Sequence, residues 1–375
     1  MNHNLIRVTT TYMALLASLL FISDVQLAVS GEPANDWLYP AGQPGSKGPA
    51  TEQLQPGYHA YTQGNFELAV TRYTQVIDSG QLRTRKQRAE ALVFRGRAYS
   101  QAGRFTLALQ DFSESIRLLP KYTKAYISRG KLFRNQGDYK KAIADFNRAI
   151  ARHPGQARFY LIRSHTHWLE GDMDAALADA ETAIQLEPYA AGGYFMRGKF
   201  HAVLRHGKQA VKDFSKAIEL EPELDHAYSQ RASIRNQGGD LHGALNDFDS
   251  AIRINPYRTD YFSKRGLIHA RLGNAAAAEA DYMRSRQLDP QDPVVYFHRG
   301  RALQVLKEND TALEQYDHAI RLAPGYANAY CWRAIIHRKN GDGKKAAADA
   351  NRGLREGPST EVCRRVMRSL EHAGD

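Results

Sequence analysis

The sequence predicts an all-α array of stacked helix pairs, on three observations. Prolines recur at Pro120, Pro154, Pro188, Pro222, Pro256, Pro290, Pro324 and Pro358, each 34 residues after the last, and take up eight of the fourteen in the chain. Alanine stands at one fixed distance before each of them: Ala108, Ala142, Ala176, Ala210, Ala244, Ala278, Ala312 and Ala346. Twelve residues earlier again stands a small residue: Gly96, Gly130, Ser164, Gly198, Ala232, Gly266, Gly300 and Ala334. A fixed period of this length marks a repeat in which each unit buries its apolar stripe only against its neighbours.

Residues 1–30 differ from the rest. Arg7 precedes an apolar run from Tyr12 to Ile22, and Ala28 and Ser30 take the small positions before a cleavage after Ser30. This is the layout of an export signal. The run is shorter than the roughly 20 residues a spanning helix needs, so cleavage is expected over a retained anchor. Residues 31–49, rich in Gly and Pro, read as a flexible linker, in which Trp37, Leu38 and Tyr39 are unusual. A divergent first unit covers 50–83, with Gly64, Phe66, Ala69, Tyr73 and Ile77 in register but no proline.

The eight regular units cover 89–360 and start at residues 89, 123, 157, 191, 225, 259, 293 and 327. Counting the first residue of a unit as place 1, places 4, 8 and 11 form one buried helical stripe. Places 17, 20, 24, 27 and 28 form a second. Glycine at place 15 permits the left-handed backbone that ends the first helix. Arg205 and Lys307 replace it in two units, where less regular turns are expected. Proline at place 32 ends the second helix. Residues 361–375 carry Val362, Val366, Met367 and Leu370 on one side and arginines on the other, as a capping helix should.

Tyr126, Gly130, Phe133, Ala142, Phe146, Ala149 and Pro154 together match the signature of the tetratricopeptide repeat. The chain resembles that family over 89–360. The resemblance implies a right-handed superhelix, an α-α solenoid, whose concave groove is lined by places 2, 5, 9, 12 and 13 of the first helices. Here those places hold Arg97, Lys131, Arg134, Arg158, Lys199, Arg271, Arg301, Arg338 and Lys339, with few acids, Glu90 and Asp260 among them. Leu161, Trp168, Leu169, Phe195 and Phe297 are their apolar companions. Arg97, Lys131, Arg134, Trp168, Phe195, Lys199, Arg271, Phe297 and Arg301 are the candidate partner-binding residues. The bland reading of such a face, a solvated charged surface, weighs equally. The Lys/Asn/Arg carboxylate clamp of the family's chaperone-binding branch is not found, because place 9 lacks its Asn.

Place 7 is arginine in every regular unit: Arg95, Arg129, Arg163, Arg197, Arg231, Arg265, Arg299 and Arg333. Place 23 is aspartate in seven: Asp111, Asp145, Asp179, Asp213, Asp247, Asp281 and Asp349; Gln315 is the eighth. Across an antiparallel pair these places lie opposite, so a structural Arg–Asp ladder is expected. An arginine row for an anionic ligand is the weaker reading, since the aspartates would neutralise it. Arg299 is expected to stay solvated or to recruit an acid such as Glu314 or Asp317.

His167, His201, His269 and His337 recur at place 11, a core position, and sit in separate units. They read as packed side chains, with no metal or cofactor expected. No nucleophile motif appears, so no enzyme is expected. Cys331 and Cys363, the only two cysteines, lie about one repeat apart. In an oxidising compartment they can pair and staple the C-terminal cap; two free buried thiols are the alternative. The net charge of +11 favours acidic partners.

The expected function is an exported, non-enzymatic scaffold, periplasmic or secreted, that holds an acidic protein or peptide in a basic groove. Nucleic acid is not the expected partner, and membrane attachment follows only if the leader is retained. The alternative is a receptor for anionic polymers: polysaccharide, lipid head groups or nucleic acid.

Overall fold

The computed structural model describes residues 51–357 and 361–371. The leader, the linker with Trp37–Tyr39, and Pro358 lie outside these. Among the described residues there are nineteen α-helices and no strand. They fall into two compact units, one ending at Pro188 and one beginning at Tyr189. Each unit is a stack of helix pairs, so the fold is all-α, of the α-α solenoid class.

The first unit opens with a short 3-10 turn, Glu52–Leu54, and runs through α1 (Gln55–Thr62), α2 (Phe66–Asp78), α3 (Arg85–Gln101), α4 (Phe105–Leu118), α5 (Thr123–Asn135), α6 (Tyr139–Arg152), α7 (Ala157–Glu170) and α8 (Met173–Leu186). The residues inserted before position 89 extend α3 by a turn. Thr84 caps it, accepting from Gln87 N at 3.1 Å while the Gln87 side chain accepts from Thr84 N at 3.0 Å. Thr51 is clasped to α3: its N and Oγ1 donate to buried Glu90 at 3.1 and 2.6 Å.

The second unit runs through α9 (Ala191–Val203), α10 (Gly207–Leu220), α11 (Asp225–Gln237), α12 (Leu241–Ile254), α13 (Thr259–Arg271), α14 (Ala275–Leu288), α15 (Pro293–Val305), α16 (Asn309–Leu322), α17 (Ala327–Lys339), α18 (Gly343–Glu356) and α19 (Glu361–Glu371).

Within a pair, place 8 meets place 24. At Gly130 an added Cβ would lie 2.6 Å from the Phe146 ring, so the helices approach only because that position has no side chain. The aromatic at place 4 reaches back to the turn before it: Tyr126, Tyr296 and Tyr330 donate to the carbonyls of Pro120, Pro290 and Pro324 at 3.1, 3.0 and 3.2 Å. The Pro120 carbonyl accepts a second bond, from Arg152 Nη2 at 2.9 Å.

The turns at Arg205 and Lys307 are as regular as the others, contrary to expectation. Both residues take the left-handed backbone of the glycines, with φ of 60° and 67°. Packing of the two helices over-determines the turn, so a side chain is forced into a region it ordinarily avoids.

Cys331 and Cys363 are disulfide-bonded, tying α17 to the last helix. The bond sits over Gly353 of α18, where a Cβ would meet both sulfurs at 2.5 and 2.8 Å.

Candidate functional site

The arginines at place 7 and the aspartates at place 23 form forked, two-bond pairs. Arg129 Nε and Nη2 donate to the two oxygens of Asp145 at 2.8 and 2.9 Å. Arg95–Asp111, Arg163–Asp179, Arg197–Asp213, Arg231–Asp247, Arg265–Asp281 and Arg333–Asp349 repeat the arrangement. Each carboxylate is buried. Burial pushes Asp111 upward, and the hydrogen bonds from Arg95 oppose it.

The third arginine nitrogen reaches further, to place 25 on the second helix of the preceding pair. Arg129 donates to Ser113 at 3.2 Å, Arg163 to Asn147 at 2.5 Å, Arg231 to Ser215 at 2.8 Å, Arg265 to Asp249 at 2.7 Å and Arg333 to Asp317 at 2.6 Å. So each of these guanidiniums spans three helices. This link between pairs was not foreseen, although polar residues recur at place 25.

Place 11 supplies the aspartates with a second neighbour. His167, His201, His269 and His337 hold Nε2 at 4.0, 3.9, 3.9 and 3.7 Å from Asp179, Asp213, Asp281 and Asp349. Arg235 occupies the same place and bonds Asp247 at 2.9 Å. Burial lowers the pKa of His201, with Asp213 opposing. Among the described residues no group of three or more His, Cys, Asp or Glu is arranged to hold a metal ion.

The groove candidates divide. Arg97 bonds Ser128 of the next first helix at 3.0 Å, and Arg134 approaches His165 at 3.5 Å. Arg271 bonds the Asn236 carbonyl at 2.8 Å and its side-chain oxygen. Lys131 and Lys199 are half-exposed, the latter 6.0 Å from the Phe195 ring. Arg158, Arg338 and Lys339 are exposed.

The aromatic candidates do not present themselves to a partner. Trp168, Phe195 and Phe297 are 6, 2 and 5% exposed. Trp168 packs on His165, Phe195 on Phe214, and Phe297 on Tyr316 and Tyr326. The reason is geometric: places 5 and 12 border the groove, and the neighbouring helices close over any ring set there. The acids are also engaged. Glu90 holds Thr51. Asp260 is enclosed, but the ammonium of Lys264 and the guanidinium of Arg258, at 3.0 and 2.9 Å, keep its pKa well below the usual range.

One joint departs from the repeat. In the second unit α15 packs broadly against α13, the preceding first helix, and barely touches α14. The residues on α14 explain it. Place 28, isoleucine or leucine in every other regular unit, is Arg286, and place 25 is Met283, 47% exposed. Arg299 therefore has neither its own aspartate nor a polar place-25 partner. It takes Glu279 instead, one helical turn earlier on α14, at 3.1 and 2.8 Å, and leaves Gln315 at 3.4 Å. The expected recruits, Glu314 and Asp317, are not used; Asp317 belongs to Arg333. The slip gathers Asp260, Lys264, His298, Arg301 and Trp332. Lys264, His298 and Trp332 stand at place 6, which had not been counted as a ligand position.

A family profile described as tetratricopeptide repeat matches residues 55–123, 127–191, 230–293 and 297–360. The fold is similar to that of a tetratricopeptide repeat protein from Parabacteroides merdae ATCC 43184, at 18% identity and a TM-score of 0.53, over 76% of this chain and 99% of that one. MamA aligns at 18% identity and a TM-score of 0.40, over 46% of this chain and 94% of its own. YrrB, described as a TPR protein with an unusual peptide-binding site, aligns at 20% and 0.40, over 52% and 97%. No curated protein matches the chain.

Proposed function

Since the chain belongs to the tetratricopeptide repeat family, whose members generally mediate protein–protein interaction, we propose that it is an exported, non-enzymatic scaffold that holds an acidic peptide segment against the basic face of its first helices. One observation carries this. The ladder arginines are already neutralised by carboxylates, and cations outnumber acids at the groove places, so each unit carries a basic face of its own. These faces carry Lys131, Arg134 and Arg158 in the first unit, and Lys199, Arg338 and Lys339 in the second. The aromatics are internal, so charge rather than ring insertion selects the partner. The disulfide between Cys331 and Cys363 and the leader layout of residues 1–30 support export to an oxidising compartment.

The test uses labelled twelve-residue peptides in which glutamate alternates with leucine, and the same peptides with glutamine for glutamate. The acidic peptide should bind and the glutamine peptide should not. Reversing Lys131 and Arg134 to glutamate should weaken binding tenfold or more, about 1.4 kcal/mol. Equal binding of both peptides would refute the reading. A fall of about a thousandfold between 50 and 200 mM salt would favour the polyanion receptor instead. N-terminal sequencing of the native protein checks export, with a start near Gly31 expected.

A further inference from the structure

The slipped joint encloses a cation that no acid of its own neutralises. Arg301 is largely surrounded by protein yet still reaches solvent. Its guanidinium lies 3.5 Å from the centre of the Trp332 ring. The largest electrostatic influences on it come from Tyr316, Tyr282, Arg271 and Tyr326, and His298 is also close enough to act on it; no carboxylate among the described residues forms an ion pair with it. One turn earlier on the same face of α15 is His298, whose Nδ1 is buried with no hydrogen-bond partner. Across from these, on α13, Lys264 is held by Asp260, and Arg271 by Asn236.

A guanidinium largely removed from water without a counter-charge is costly. Stacking on Trp332 recovers only part of that cost. Elsewhere in the chain the cost is removed: all eight ladder arginines have a carboxylate. Arg97, which occupies the same place 9, finds a hydroxyl on the next helix. Arg301 finds neither, and among the described residues only here do two first helices pack broadly together around such a residue.

We infer that Arg301, stacked on Trp332 and flanked by His298, is a binding subsite for a single carboxylate of the partner. One charge is specified because one cation is uncommitted. A phosphate dianion would want a second, and Lys264 and Arg271 are taken. The planar fork suits two oxygens in one plane. This deepens the peptide-groove reading and rests on it, but it can fail separately.

The experiment titrates sodium acetate into the full chain at constant ionic strength, chloride being exchanged for acetate, and follows the indole NMR resonance of Trp332. A saturable shift is expected. Arg301→Gln should weaken it at least tenfold, and Arg301→Lys, which keeps the charge and loses the fork, should fall between. Lys344→Gln, on the exposed face of α18 and outside the groove places, should leave it unchanged. Circular dichroism establishes that each variant is folded. An unsaturable shift, an equal shift in folded Arg301→Gln, or tighter binding of inorganic phosphate overturns the proposal. N-acetylalanine and the α-amide of N-acetylglutamate then separate a chain-terminal from a side-chain carboxylate; tighter binding of either upholds the site and names the source. Acidic peptides that bind normally without any acetate effect at Trp332 would sink this subsite alone. An acetate effect without peptide binding would sink the groove reading alone.

Discussion

Arg299 closes on Glu279 of the preceding helix pair, while its seven counterparts close on an aspartate sixteen residues ahead in their own pair. The two kinds of pair differ in burial. Asp145 is 1% exposed, whereas the Glu279 side chain is 44% exposed. Desolvation therefore separates their energetics more than geometry does.

Asp145→Ala leaves the part-buried Arg129 guanidinium with Ser113 but without its carboxylate and should cost about 3 kcal/mol or more. Arg299→Ala breaks a half-solvated pair and should cost under about 1 kcal/mol. Denaturant unfolding of the two variants decides it; equal losses would mean that the aspartates are not what the ladder relies on.

Lys307→Gly should stabilise the protein by about 0.5–1 kcal/mol. The left-handed backbone strains a β-carbon by roughly 1–2 kcal/mol, and the greater unfolded-state freedom of glycine offsets part of the gain. Gly273→Ala, at φ 80° in the equivalent turn, should move the other way by a similar amount. Thermal midpoints of both variants check the pair of signs.

Acidification should destabilise the second unit, starting near pH 6.5. Burial pushes the His298 imidazole down to about 3, with Lys264 and Arg301 adding to the effect and Asp260 opposing it. The unfolded chain then takes up the proton first, so stability is full above pH 6.5 and falls as pH drops towards 3. Between pH 7 and pH 5 the loss should be about 1–2 kcal/mol. His298→Gln should flatten the dependence of the unfolding midpoint over that interval. An unchanged slope would place the pH sensitivity elsewhere, with His201 and His226, the other imidazoles of the second unit that burial lowers most, next to test.

Reducing the Cys331–Cys363 bond, or replacing both residues with serine, should destabilise the C-terminal end by about 2–4 kcal/mol. Amide exchange should accelerate in α17 to α19 and stay unchanged in α3 to α6. Uniform acceleration throughout the chain would show that the bond does more than hold its own end.

Trp168→Ala should unfold part of the first unit rather than weaken a partner's grip, at a cost of about 3–5 kcal/mol. A folded variant that has merely lost peptide affinity would restore Trp168 to the groove.

The repeat was legible because periodicity needs no knowledge of what faces what: a proline, an alanine and a small residue recur, and each has one steric reason to do so. The Arg–Asp pairing followed from places 7 and 23 facing each other in an antiparallel pair. The groove was harder to read, because places 5 and 12 lie where one face passes into the next. A shift of a few tens of degrees around the helix decides whether Trp168 is a docking ring or core. The slipped joint had a signal: arginine at place 28 of one unit, where the others carry isoleucine or leucine, together with methionine at place 25. Reading it required knowing that those two places dock the following pair, which only the third nitrogen of the ladder arginines revealed.

That third nitrogen also bears on how the array comes apart. Fastened to its predecessor by Arg129–Ser113 or Arg265–Asp249, a helix pair cannot fray without disturbing the one before it, and melting should advance as a front. At Arg299 the link to Glu279 lies on a displaced turn and replaces the aspartate pair within the unit instead of adding to it, so the front should stall there. Two populations with different melted lengths would then coexist at intermediate denaturant, with their boundary between α14 and α15.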